Sequence, residues 1–355
     1  MHSLEAVPRR RDARRLPVPL VVPALLALVA LTAVLSTGFG AEPLPASTVV
    51  DTLHGRLAGH VADPAYDAIV WQIRLPRTLL GLVVGAGLAL AGAGIQTLVR
   101  NPLADPYLLG VSAGASVGAT AVITLGLLSG LGLWSLSAGA LLGALAAALL
   151  VFGVAMMQGG LTPLRLVLTG TVLSSAFASV ASFLVFRSAE PQAAQSVLFW
   201  LLGSLSGATW DQLWLPAATV GVTFVLLVAG SGWLDALAVG PDTAAALGVP
   251  VRALRIGLFV LLAVLVGVLV AVAGGIGFVG LVLPHVARLL VGPRHRLSLP
   301  VVALCGALFL VWVDVAARVM VRPTEIPLSV VTGLIGAPVF LLLLGRRSYR
   351  FGGEE

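Results

Sequence analysis

The chain contains no lysine; all 21 of its basic residues are arginines. A Walker A loop needs a lysine on the phosphates, so this chain cannot bind ATP by that loop. Any ATP-driven step belongs to another polypeptide. Cysteine is almost as scarce. Cys305 stands alone inside an apolar run, which excludes a disulfide within the chain and paired-cysteine redox chemistry. Charged residues make up only 10% of 355 positions, and acids are nearly missing from the apolar runs. That removes the carboxylate relays of proton-coupled pumps. HExxH, CxxC and paired catalytic carboxylates do not occur, so no catalytic constellation is offered. Gly275-Ile-Gly277-Phe-Val-Gly280 matches GxGxxG in letters only, because it lies in an apolar segment without βαβ context.

What is present is hydrophobicity. Apolar residues make up 59% of the chain and the mean hydropathy is +1.06, which describes a polytopic membrane protein. A helix needs about 20 apolar residues to cross the hydrocarbon core. By that measure there are about ten spans, near 17–36, 78–98, 107–128, 134–157, 163–186, 212–230, 255–273, 276–292, 299–319 and 328–345. Barrel-type alternation is absent, so the fold class is all-α. The first apolar core exceeds the roughly 7–15 residues of a secretory signal, which predicts an uncleaved first helix.

If the N-terminus is cytoplasmic and the spans alternate, most arginines face inward, as the positive-inside rule requires. The pI near 10.8 then reports topology and implies no nucleic-acid partner. Residues 1–16 read as a cytoplasmic arm, 17–346 as one transmembrane domain and 347–355 as a cytoplasmic tail. Residues 40–67 read as an exposed outer loop. A polar insertion at 231–255 falls on the inner side, where Asp242 after Pro241 starts a short helix and Gly248-Val-Pro250 stops it. Its Ala/Leu character suits a surface held by a partner. A weak echo links 74–106 with 255–288, each an arginine-led run through a glycine-rich stretch, AGAGIQ or AGGIGF. The count places them in opposite orientation, as two weakly similar inverted halves.

Glycines at four-residue spacing (Gly81 and Gly85; Gly110, Gly114 and Gly118; Gly139 and Gly143) let helix backbones approach closely. The turn Asn101-Pro-Leu-Ala-Asp-Pro106 stops one helix and starts the next, with Asn101 and Asp105 placed to bond the exposed backbone ends. It reads as a hairpin cap or as an inner constriction with Leu103 in the path. Arg74 and Arg77 share a face at the outer boundary, and Arg318 with Arg322 repeats the pattern. Such arginines snorkel, or meet carboxylates of an outer partner. Glu325 is placed for a local pair with Arg322, and Asp314 for an i,i+4 pair with Arg318. His285 reads as a capping or packing residue. An Arg318→Glu change is expected to weaken partner capture and leave folding intact.

Taken together, RLPRTLLGLVVGAGLALAGAGIQ, RNPLADPYLLGVSAGAS, LDALAVGPDTAAALGVPVRALR, GGIGFVGLVLPHVARLLVGPRHR, DVAAR and EIPLSVVTGLIGAPVF resemble the FecCD-type permeases of bacterial ABC importers for ferric siderophores, haem and cobalamin. The resemblance runs from Trp71 to Phe340. It implies ten helices per subunit in the bacterial plasma membrane, both termini cytoplasmic, in contact with membrane lipid. It also implies a second permease subunit, either a copy or a paralogue, two ATPase subunits carrying ATP and Mg, and an extracytoplasmic substrate-binding protein. The chain itself would hold no cofactor, no metal and no catalytic residue. By motif, Arg74, Arg77 and Arg318 would meet acids on the binding protein; Asn101, Pro102 and Leu103 would border the cytoplasmic gate; Asp242, Ala246, Leu247 and Gly248 would seat in the ATPase. Ser329 departs from the E-x-P-x-G pattern usual in similar proteins. The expected activity is inward passage of an iron chelate, a ferric siderophore, by ATP-driven alternating access. Haem or cobalamin is the alternative cargo, and an ion-coupled secondary transporter the alternative class.

Overall fold

The structure is a computed structural model and describes residues 16–40, 42–60 and 63–345. The expected tail, and the arm apart from residue 16, lie outside the described residues. The chain is all helical: α1 (Val18–Thr37), α2 (Ala46–Leu57), α3 (Pro64–Asp67), α4 (Leu75–Leu98), α5 (Val111–Leu125), α6 (Ser135–Met157), α7 (Pro163–Arg187), α8 (Pro191–Leu201), α9 (Trp210–Ala229), α10 (Ser231–Val239), α11 (Pro241–Ala246), α12 (Val251–Ala273), α13 (Val279–Val291), α14 (His295–Val319) and α15 (Leu328–Gly345). Among the described residues, seven helical runs are long and apolar enough to cross a membrane, and α5, α13 and α15 are shorter apolar helices.

Proline sets many of the starts, as expected where a missing N–H is no loss. Pro163, Pro191 and Pro241 open α7, α8 and α11. Asp63 Oδ1 accepts from Ala65 N and caps α3. From Pro64 to Leu98 the chain stays helical, with a π-wound stretch at Ala68–Arg74.

Helix α4 forms the axis of the bundle and packs against α9, α12, α13 and α14. Its small residues permit this. A side chain added at Gly85 would strike the Gly306 carbonyl of α14, and one at Gly92 would strike Gly280 of α13. Helices α5 and α6 meet in the same way, Gly114 against Gly143 and Gly118 against Gly139. Lipid gives apolar helices no hydrophobic reason to associate, so close backbone contact carries the packing.

Three interruptions converge inside the bundle. Helix α12 ends at Gly274, whose φ is 69°, and α13 begins after Phe278. Beside this break lie the end of α8 and the start of α15. Ser204 N donates to Ala273 O (2.9 Å), Leu328 N to Gly203 O (3.0 Å) and Ser329 N to Leu202 O (3.0 Å). The Ser329 hydroxyl donates to Gly275 O (2.6 Å) and accepts from Gly277 N (3.5 Å). Tyr107 Oη bonds both N and O of Ile276 (2.8 and 3.0 Å). Irregular backbone within a membrane protein must find partners inside the protein, and here each broken end supplies the others.

The structure corrects several expected boundaries. The outer segment 40–67 contains α2 and is not a plain loop. Residues 191–201 form α8, which the span count passed over; its end meets the break at Gly274, whereas Trp210 reaches Trp71 O (3.0 Å) near the start of α4. The expected span at 107–128 shrinks to α5, because Pro106–Leu109 is a 3₁₀ turn closed by Gly110 at φ 73°. The echo stretches also differ locally: AGAGIQ stays helical within α4, and AGGIGF is where the helix breaks.

Three stability predictions follow from these contacts. Gly118→Val overpacks the α5–α6 contact, at about 1–3 kcal/mol, and should lower the melting temperature in detergent. Gly153→Ala on α6, where an added methyl meets nothing within 4 Å, should melt no lower than the parent. Ser329→Ala removes a donor from the Gly275 carbonyl and should destabilise by about 1 kcal/mol in equilibrium unfolding.

Candidate functional site

At the start of α4 the three sequence-predicted arginines come together with two acids. Arg77 lies between both: its Nε and Nη2 donate to Asp314 Oδ1 (3.0 and 2.8 Å), and its Nη1 and Nη2 donate to Glu325 Oε1 and Oε2 (2.8 and 2.9 Å). Arg318 Nη2 lies 3.0 Å from Asp314 Oδ2 as an ion pair, without well-directed hydrogen-bond geometry, and its Nη1 donates to Phe39 O (2.9 Å). Arg74 turns away and holds three carbonyls of the outer segment, those of Thr37, Gly38 and Glu42. Exposure is 9% for Arg74, 7% for Arg77 and 5% for Arg318.

These positions revise the picture of open docking arginines. All three guanidiniums are buried and engaged within the chain: Arg77 and Arg318 compensate the buried carboxylate Asp314, and Arg74 is held by backbone carbonyls. The expected Asp314–Arg318 pair is present. Glu325 joins Arg77 and not Arg322. Arg318→Glu would set a carboxylate against Asp314, so that change is destabilising and cannot leave folding intact.

At the other end of α4, the Asn101 turn is built as its residues predict. Asn101 Oδ1 accepts from Leu103 N (2.9 Å) and Asp105 Oδ1 from Tyr107 N (2.9 Å). Leu103 and Pro102 are half-buried and Asn101 is exposed. Gln96 anchors the region: its Nε2 donates to Gly280 O and Leu281 O (3.2 Å each), and its Oε1 accepts from Arg288 (2.7 Å).

The insertion folds as α10 and α11 joined at Gly240. Ala236, Ala244 and Val249 form a small core of their own beneath it. Asp242, Ala246, Leu247 and Gly248 all lie on the exposed side, with Leu247 69% exposed. An apolar tip held out by its own miniature core is a rigid protrusion.

A further face was overlooked in the sequence. Thr171, Ser175 and Ser179 form an exposed stripe on α7, each hydroxyl bonded back to the carbonyl four residues earlier. Beside it a cavity of about 750 Å³ runs between α5, α7 and α8, with Ser112, Ser116, Ser174 and Ser182 among its lining and no charged side chain. The i,i+4 spacing of hydroxyls in an apolar run was the available signal.

Residues 27–346 match the FecCD transport family. The cobalamin import system permease protein BtuC of Halobacterium salinarum is 40% identical, over 88% of this chain and 82% of that protein. The molybdate import system permease protein MolB of Haemophilus influenzae is 35% identical, over 92% and 95%. Among solved structures, an inward-facing conformation of a metal-chelate type ABC transporter superposes with a TM-score of 0.81 at 34% identity, covering 93% of this chain and 100% of that one. The chain belongs to the FecCD transport family: it is a multi-pass permease subunit of a bacterial ABC importer, not itself an enzyme, and its work implies ATPase and binding-protein partners.

Proposed function

We propose that this permease passes an iron chelate of the ferric-siderophore class inward by alternating access. The observation that supports it is the uncharged, hydroxyl-lined groove along α5 and α7. A bulky chelate slides past small hydroxyl and methyl groups without being gripped, so selectivity rests with the binding protein. Haem and cobalamin are also bulky and remain the rival cargoes. A second permease subunit, a copy or a paralogue, would cover the hydroxyl face of α7, which is poorly suited to lipid.

In this reading residues 17–346 form one transmembrane domain with both termini cytoplasmic. Residues 231–255 are the coupling region, with Asp242, Ala246, Leu247 and Gly248 against the ATPase, and the turn at Asn101, Pro102 and Leu103 is the cytoplasmic gate. The binding protein docks over the cluster of Arg74, Arg77 and Arg318. Three guanidiniums against Asp314 and Glu325 leave an excess of positive charge there. Glu325, with a side chain 41% exposed, holds the place that a partner's carboxylate would take on Arg77. Docking is then an exchange of carboxylates.

Uptake of labelled ferric siderophores, haem and cobalamin by cells with and without this gene tests the cargo. Loss confined to ferric siderophores supports the proposal; loss confined to cobalamin or haem replaces it. For docking, Glu325→Gln removes the competing charge and should tighten binding-protein affinity about tenfold, equivalent to about 1.4 kcal/mol, in a surface-plasmon measurement. Unchanged affinity would count against the exchange.

A further inference from the structure

Helix α10 packs against α4 and α14, and one imidazole is bonded to both α10 and α4. Asp235, midway along α10, accepts at Oδ1 from both the backbone N (2.9 Å) and Nδ1 (2.6 Å) of His295. His295 is the first residue of α14, whose cap position, Arg294, makes no side-chain cap bond. A carboxylate from another helix therefore does the capping, where an anion is favoured by the helix dipole. On its far side the ring reaches Thr97 of α4, Nε2 to Oγ1, at 2.8 Å.

The proton count keeps this link closed in either ring state. The carboxylate needs a proton on Nδ1. A neutral ring then accepts the Thr97 hydroxyl at Nε2. If that hydroxyl instead serves Ala93 O, 2.9 Å away, Nε2 must carry a proton and donate to Thr97. Either arrangement joins α10, α14 and α4.

The two ends of this link lie at the two inner features described above. Beyond Asp235, α10 leads through Gly240 to the exposed tip of α11. Beyond Thr97, the backbone passes directly into the gate turn: Arg100 N donates to Thr97 O (3.3 Å) and Asn101 N to Gln96 O (3.0 Å). The link also borders a cavity of about 220 Å³, lined in part by Arg100, Pro102 and Arg288, so there is space for its members to shift. Side-chain exposure is low at His295 (12%), and Thr97 is buried. The His295–Thr97 bond is thus shielded from competing water, whereas the Asp235 side chain is 40% exposed.

We infer that Asp235, His295 and Thr97 are positioning residues that carry displacement of the α10–α11 protrusion to the gate turn at Asn101–Leu103. The inference rests on the gate and coupling roles proposed above. A structural brace alone would hold the helices together; a coupling link must also make the gate follow the nucleotide state of the ATPase.

The test uses the complete importer with its ATPase subunits, reconstituted in proteoliposomes, and reads the gate directly without a transported ligand. Leu103→Cys, in a Cys305→Ala background, is labelled with a maleimide in the nucleotide-free and the ATP-vanadate states. ATP hydrolysis is measured on the same preparations. The background protein should label at rates that differ between the two states. Thr97→Val, which keeps shape and removes the hydroxyl, should shrink that difference about tenfold with ATP hydrolysis retained, and Thr97→Ser should restore it. Asp235→Ala, which removes the acceptor, should act as Thr97→Val does. A nucleotide-dependent difference that survives in Thr97→Val overturns the inference, as does a parallel loss of hydrolysis and gating that Thr97→Ser does not rescue. If the background protein itself shows no difference between states, the proposed gate is wrong, and the link falls with it.

Discussion

Backbone contact along α4 is the constraint from which the other arrangements follow. Gly85 against Gly306 and Gly92 against Gly280 bring α14 and α13 to a distance that no side chain at those glycines would allow. Once α4 is held this closely on several sides, its two ends are fixed relative to each other. The arginines at one end and the proline turn at the other are then attached to one stiff rod. Helix α4 transmits position in a way that a helix sheathed in long side chains would not.

At the outer end, charge takes over from packing. Asp314 is buried on α14, and a carboxylate there is tolerable only with strong partners. Arg77 and Arg318 supply them, and Glu325 completes the second edge of the Arg77 fork. Arg74 instead fastens the backbone of the segment after α1, bonding Thr37, Gly38 and Glu42. Removing Asp314 would leave two buried cations facing each other; removing Glu325 would leave Arg77 still paired. Structural and exchangeable roles are therefore divided between two acids on one guanidinium. That division lets a site be both rigid and receptive.

The sequence made the helical class, the membrane setting and the family legible, because hydropathy over about 20 residues and long motifs are robust to local detail. The Asn101 turn was also legible, since prolines and capping side chains act within a few residues. What could not be seen was mostly non-local. Arg77 finds Asp314 and Glu325 from more than two hundred residues away, so a local rule assigned Glu325 to Arg322. Helix α8 is too short for a span and was passed over, although its end carries the backbone partners of the α12–α13 break. Ser329 stood out only as a departure from the E-x-P-x-G pattern; in place it donates to the Gly275 carbonyl and holds that break.

The two ends of α4 also differ in how they can change. At the Arg77 end, the least buried element is the ion pair to Glu325, whose side chain is 41% exposed. Inside, Gln96 is bonded to the carbonyls of Gly280 and Leu281 and to Arg288, so the last turn of α4 is bound to α13 by neutral and charged contacts together. A shift of the gate turn must then carry α13 with it or break that set. Helix α13 starts at the glycine-rich break, which has few side chains to interlock and is held by hydrogen bonds from Tyr107 and Ser329. The compliant point in the bundle is therefore the break above α13.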